Sequence, residues 1–219
     1  MAKVRVWDLP TRLFHWTLVA VLGFSWWSAK NDHLDWHIWS GIGVLSLLIF
    51  RLLWGFFGSS TARFANFVRG PRQIGAYLGD MKGWRLLGHS PLGALSVLAM
   101  LGAIAVQIGL GLFASDEDGF FEGPLAAMVS LDRSEQLTDL HHDWFNIILV
   151  LAGLHVAAIL FYRLFLGKKL IEPMLTGRTA ADTEIDPMRP GKGWVALLCL
   201  IVAIGFSRWI LAGAPPFGG

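Results

Sequence analysis

The chain has 219 residues, 54% of them apolar and only 16% charged, with a mean hydropathy of +0.54 and a net charge of +2. These values exclude an ordinary soluble domain and point to an all-α integral membrane protein, with no nucleic-acid partner expected. The single cysteine, Cys199, excludes an internal disulfide and any cysteine-built metal or iron–sulfur site.

Five stretches reach the roughly 20 apolar residues that a helix needs to cross about 30 Å of hydrocarbon. They are residues 13–29, 37–57, 92–114, 144–166 and 194–212. Between them lie a short loop (30–36), a polar and amphipathic segment (58–91), an acidic loop (115–140) and a charged, Pro/Gly-rich stretch (167–193). The expected organisation is a transmembrane domain over 1–178, a cytoplasmic linker over 179–193 and an additional transmembrane helix over 194–212. There is no internal repeat. The first span follows a basic start but is long, rich in tryptophan and free of a small-x-small cleavage site, so it is expected to persist as a helix.

Cytoplasmic loops collect Lys and Arg. With the N-terminus inside, the inner segments hold Lys3, Arg5, Arg12, Arg51, Arg63, Arg69, Arg72, Lys82, Arg85, Arg163, Lys168, Lys169, Arg178, Arg189 and Lys192, fifteen of the eighteen basic residues. Only Lys30, Arg133 and Arg208 fall outside, where the loop 115–140 is strongly acidic. The expected topology is a multi-pass protein of the bacterial inner membrane, N-terminus cytoplasmic and C-terminus periplasmic.

An imidazole at bilayer depth is costly unless its nitrogens are satisfied, which makes it a functional candidate. His15 lies near the inner end of the first span, three residues past Arg12, and His37 opens the second span at the outer side. On the fourth span His141 stands at the outer mouth and His155 fourteen residues deeper, about 21 Å along a helix. Fourteen residues at about 100° each return to within roughly 40° of one face, whereas the thirteen from His142 to His155 land about 140° away. Pairing by depth joins His37 with His141 on the outer side and His15 with His155 on the inner side. Two facing pairs at two depths suit bis-imidazole ligation of two haem b groups inside a helical bundle. Gly41, on the face of His37, and Gly102 and Gly109 on the third span would let a porphyrin approach the backbone.

Other polar residues have competing readings. His142, beside Asp143, hydrogen-bonds locally, contacts a propionate or serves as a substitute ligand. His89 in GHSPLG either caps or anchors the third helix, or touches a quinone headgroup or a haem propionate. Arg51 either snorkels to the interface or pairs with a propionate, and Arg12 is a further candidate for a propionate or quinone contact. Tryptophans near span ends, Trp54 and Trp144 among them, fit an anchoring belt.

The stretches VRVWDLPTRLFHW, HIWSGIGVLSLLIFRLLWGFFG, ARFANFVRGP, YLGDMKG, GHSPLGALSVLAML and LHHDWFNIILVLAGLHVAAILF together resemble the bacterial cytochrome b-561 and Ni,Fe-hydrogenase cytochrome b subunit superfamily, over about residues 3–178. The resemblance implies a four-helix di-haem b protein of the inner membrane that exchanges electrons between quinones and a redox partner. It carries ligand roles onto His15, His37 in an H-x-x-x-G context, His141 and His155. Two features depart from the family pattern. A fifth helix follows the charged linker, as a partner-docking element or an appended anchor, and His142 stands where relatives often carry an acidic residue.

The expected function is electron transfer, as a cytochrome or oxidoreductase subunit of a respiratory chain, between the quinone pool and a periplasmic partner such as a c-type cytochrome or a hydrogenase-like subunit. The acidic outer loop suits docking of a basic partner. The basic segment 63–85, with Phe64, Phe67 and Tyr77, suits contact with anionic membrane lipid and the border of a quinone pocket. Two other classes compete. One is a stand-alone oxidoreductase coupling quinone to a small oxidant such as superoxide, and the other is a transporter whose histidines hold zinc or copper.

Overall fold

The computed structural model describes residues 2–84, 87–116, 119–181 and 186–216. Arg85, counted above among the inner basic residues, and Glu117 and Asp118 of the acidic loop lie outside the described residues. Along the chain come β1 (Ala2–Arg5), α1 (Leu9–Lys30), α2 (Leu34–Phe57), α3 (Phe64–Phe67), α4 (Pro71–Gly79), α5 (Pro91–Gly111), α6 (Leu131–Leu164), α7 (Ile171–Thr176), β2 (Arg178–Ala181) and α8 (Gly193–Leu211).

The fold is mostly helical. Among the described residues α2, α5, α6 and α8 are long and apolar enough to cross a membrane. The first predicted span lies within α1, a 22-residue helix whose Thr11, Arg12, His15, Thr17, Ser25 and Ser28 lower its hydropathy. The predicted spans match helices to within a few residues, except that α6 begins at Leu131 and so takes in the last third of the predicted acidic loop. Hydroxyl groups fix this extension. Ser134 Oγ donates to the Phe113 carbonyl at 2.7 Å, Thr138 Oγ1 donates to the Ser115 carbonyl at 2.9 Å, and the Ser115 N–H donates back to Thr138 Oγ1 at 3.0 Å.

The chain forms two compact units. The first gathers Met1–Phe14, Arg51–Met100 and Leu151–Leu197. Here β1 and β2 pair antiparallel, Arg5 opposite Arg178, a two-stranded sheet that the sequence reading does not anticipate. Gly177, at φ +79° after α7, turns the chain into β2, and a Cβ there would lie 2.8 Å from the Trp7 carbonyl oxygen. Asp8 precedes α1 and caps it, accepting the Thr11 N–H at 2.8 Å on one carboxylate oxygen, while the other accepts the indole N–H of Trp54 at 2.9 Å. Trp54 is 1% exposed, a core residue and not the membrane anchor expected of it. Tyr77, fully buried, hydrogen-bonds through its phenol to Tyr162, which in turn lies 3.2 Å from Ser90 Oγ. Lys168 Nζ donates to the Met81 carbonyl at 2.7 Å and closes the turn after α4.

The second unit gathers His15–Phe50, Leu101–Val150 and Leu198–Gly219. Its core joins Ile42, Leu45, Leu125, Ile210 and Ala214. In α8 the residues Cys199, Ala203, Ser207 and Ile210 form one buried stripe. Three of the four are small, which lets helices approach closely. The fifth helix is therefore packed into its own chain, with Leu200, Ile201 and Ile204 left exposed for lipid.

Because Asp8 serves both a helix cap and a buried indole, Asp8→Ala should lower stability by about 2–3 kcal/mol, roughly 1 for the cap and 1–2 for the unsatisfied Trp54 N–H. Asp8→Asn should lose less than half of that. Thermal unfolding in detergent micelles reads both.

Candidate functional site

The second unit brings the rings of His37 and His141 together. Their ring centroids are 5.8 Å apart and the planes nearly perpendicular, at 83°. Each ring is held by a backbone carbonyl of a neighbouring helix. His37 Nδ1 lies 2.9 Å from the carbonyl oxygen of Ser25 in α1, and His141 Nδ1 lies 2.9 Å from that of Gln107 in α5. A carbonyl oxygen only accepts, so Nδ1 carries the hydrogen in both rings and both Nε2 atoms keep their lone pairs for a metal.

Both imidazoles line a cavity of about 310 Å³, together with Gly41, Gly111 and His142. A Cβ added at Gly41, Gly102 or Gly109 would meet nothing within 4 Å, so the backbone of α2 and α5 borders open space at those points. Gly111 is different. A Cβ there would lie 2.7 Å from His141 Cε1 and 3.0 Å from Nδ1, so glycine is what lets α5 approach the ring. Asp32, Asp116 and Glu122 line the same cavity and give it an acidic rim.

Three residues of this site escape the sequence reading: Ser25, Gln107 and Gly111. Gln107 carries a faint signal, as an amide inside an otherwise apolar span, and it stands four residues before Gly111 on one helical face. Its side chain is 9% exposed, and its Nε2 lies 3.0 Å from the His141 carbonyl oxygen and 3.2 and 3.1 Å from the two ring nitrogens. His142 is exposed, with its ring centroid 6.3 Å from that of His141.

The other predicted site residues are placed as follows. His15, on α1 in the second unit, is half-buried with its ring edge-on to Trp16 at 4.9 Å. His155, on α6 in the first unit, is half-buried. Arg51 does not snorkel to solvent. It is 3% exposed, its guanidinium carbon lies 4.9 Å from the centroid of the Phe64 ring, and its Nη1 is buried without a hydrogen-bond partner. His89 packs between Trp7, at 4.6 Å, and Phe67, at 4.4 Å, with a buried, unpartnered Nδ1. It does not cap α5, because Ser90 Oγ accepts the Gly93 N–H at 3.1 Å and Pro91 takes the first helical position. Burial, then the charge of Arg51, then His155 hold the His89 pKa down at about 3, so its ring is neutral. Arg12 donates to the Leu175 carbonyl at the end of α7.

Residues 6–177 match the family model of the prokaryotic cytochrome b561. The chain belongs to this family. No curated protein and no solved structure matches it significantly. Cytochromes b561 are membrane electron-transfer proteins that bind haem b, usually two per chain. The residues around this cavity fit one such group: two imidazoles in matching tautomers, both lining it, beside backbone without Cβ atoms. Among the described residues no group of three or more His, Cys, Asp or Glu could hold a metal ion. Two imidazoles suit an iron whose other four ligands come from a porphyrin.

Gly111→Ala should push the His141 ring aside and lower the haem content per chain after detergent washing. His89 supplies a pH dependence. Its pKa is lower in the folded chain than the usual 6.5, so the unfolded state binds a proton first as pH falls. Stability should be complete above about pH 6.5 and fall between 6.5 and 3, and His89→Gln should remove that slope in micellar unfolding.

Proposed function

We propose that this cytochrome b561 carries electrons across the bacterial inner membrane through two bis-histidine haem b sites, His37 with His141 on the periplasmic side and His15 with His155 on the cytoplasmic side. The observation that supports the reading best is the first pair, in which two helix carbonyls hold both Nδ1–H groups and leave both Nε2 atoms to one metal. Haem b, when bound, supplies a one-electron iron couple whose potential the protein tunes. The protein's own share is to fix the ligand tautomers, keep the two sites on one helix, and exclude water from the bundle. α6 is continuous from His141 to His155, which favours two sites about 21 Å apart along its axis.

At the cytoplasmic end the reading is exchange with the quinone pool, beside Arg51 and His89. Their buried, unpartnered nitrogens, Arg51 Nη1 and His89 Nδ1, suit a propionate or a quinone oxygen. The basic charges of the N-terminal strand and of segment 63–85 support the N-inside topology. At the periplasmic end the cavity rim carries Asp32, Asp116 and Glu122. Such a rim attracts a basic redox protein of the c-type cytochrome kind and repels an anion such as superoxide, so electron exchange with a protein is favoured over a stand-alone reaction with that small oxidant.

A reduced-minus-oxidised spectrum with haem quantified per chain tests the reading. The wild-type protein should hold two b-type haems. His141→Ala and His155→Ala should each lose one, a different one, and His142→Ala should keep both. Two haems retained in His141→Ala, or a haem-free wild-type protein at full expression, would refute it.

A further inference from the structure

The carboxamide of Gln107 is an unusual group to find beside an imidazole in an apolar helix. Its Nε2 stands at nearly equal distances from the two ring nitrogens of His141, 3.2 and 3.1 Å. The lone-pair directions of the two nitrogens diverge, so a donor in line with one cannot be equally close to the other. The amide therefore lies against the ring itself and leaves the Nε2 lone pair clear. At the same time Gln107 Oε1 is buried with no hydrogen-bond partner. An unsatisfied buried carbonyl is costly, and a leucine or methionine of similar size would remove the cost. Packing alone does not account for an amide here. What the amide provides is its N–H, the positive end of a dipole set against a metal ligand. Around His37, the opposite ring, the hydrogen-bond partners among the described residues are the hydroxyl of Ser25, at 3.1 Å, and its carbonyl, at 2.9 Å.

We propose that Gln107 is a positioning residue that raises the reduction potential of the haem iron held by His141. The inference rests on His141 being an axial ligand. Two contributions from the one residue act in opposite directions. The backbone carbonyl of Gln107 accepts the His141 Nδ1–H, which fixes the ring and makes it a stronger donor to oxidised iron. The side-chain N–H places positive charge beside the same ring and favours the reduced, less positive centre. The backbone share is available to any residue at position 107, and only the side-chain share needs the amide. A second role, tying α5 to α6 through the His141 carbonyl at 3.0 Å, is structural and leaves the potential unchanged.

The haem-loaded Gln107→Leu and Gln107→Met variants separate these roles, two apolar side chains of different shape guarding against a folding failure in either. Optical redox titration should find both haems retained, one potential unchanged, and the other lowered by about tenfold in the ratio of reduced to oxidised haem, or about 59 mV for one electron. The low-spin electron paramagnetic resonance signal of the same haem should shift. Two unchanged potentials in a fully loaded variant would overturn the proposal, as would loss of the haem from both variants, which would leave Gln107 a clamp only. His141→Ala measured alongside distinguishes the two failures: if it keeps both haems, the assignment of the ligand has failed, and if it loses one while Gln107→Leu shifts nothing, the tuning role alone has failed.

Discussion

Hydrogen bonds from two imidazole Nδ1–H groups to main-chain carbonyls, Ser25 in α1 and Gln107 in α5, are the constraint on which the site depends. A histidine ring has two chemically different nitrogens, and a metal can take only one that carries a lone pair. By engaging Nδ1 with an oxygen that cannot donate, each helix chooses the tautomer of a ring on the next helix and leaves Nε2 without the ring hydrogen. The arrangement also lowers the cost of placing imidazole in an apolar bundle, since one nitrogen of each ring is satisfied by the protein.

The rest of the second unit serves this geometry. Gly111 removes the Cβ that would collide with the His141 ring, and the packing of Ile42 and Leu45 with Ile210 and Ala214 brings the fifth helix into the core around α2. Ser134 and Thr138 fasten the extended start of α6 to the chain that leaves α5, which fixes the helix carrying His141 just before the histidine. The first unit has a different character. Beside its apolar side chains it buries two polar pairs, Asp8 with Trp54 and Tyr77 with Tyr162.

Much of this was legible in the chain. Hydropathy located five helices, because an apolar run of about 20 residues has few alternatives, and the spacing of His141 and His155 placed both on one face. The boundaries failed where polar side chains decided them: α6 extends ten and more residues into a stretch of acidic composition, since hydroxyl–carbonyl bonds to residues 113–115 stabilise a helix that hydropathy alone reads as loop. The β1–β2 pairing was invisible because its partners lie more than 170 residues apart and each strand has only four residues. Position near a span end suggests an anchor for Trp54 and, for Arg51, either snorkelling or a propionate partner. Both are buried, because folding brings Asp8 of the N-terminal segment against Trp54 and Phe64 of the following helix against Arg51.

The sequence by itself determined that the chain is an apolar helical protein of the cytochrome b561 family and which histidines stand at helical depth, because composition, periodicity and motif are local properties of the chain. Only the tertiary structure decided which nitrogen of His37 and His141 meets a main-chain carbonyl, that Gln107 and Gly111 hold the second ring, that Ser90 and not His89 caps α5, and that the fifth helix belongs to the core. Each of these is fixed by a main-chain or side-chain atom brought close by folding, and distance in space is the one quantity that residue spacing along a helix does not contain.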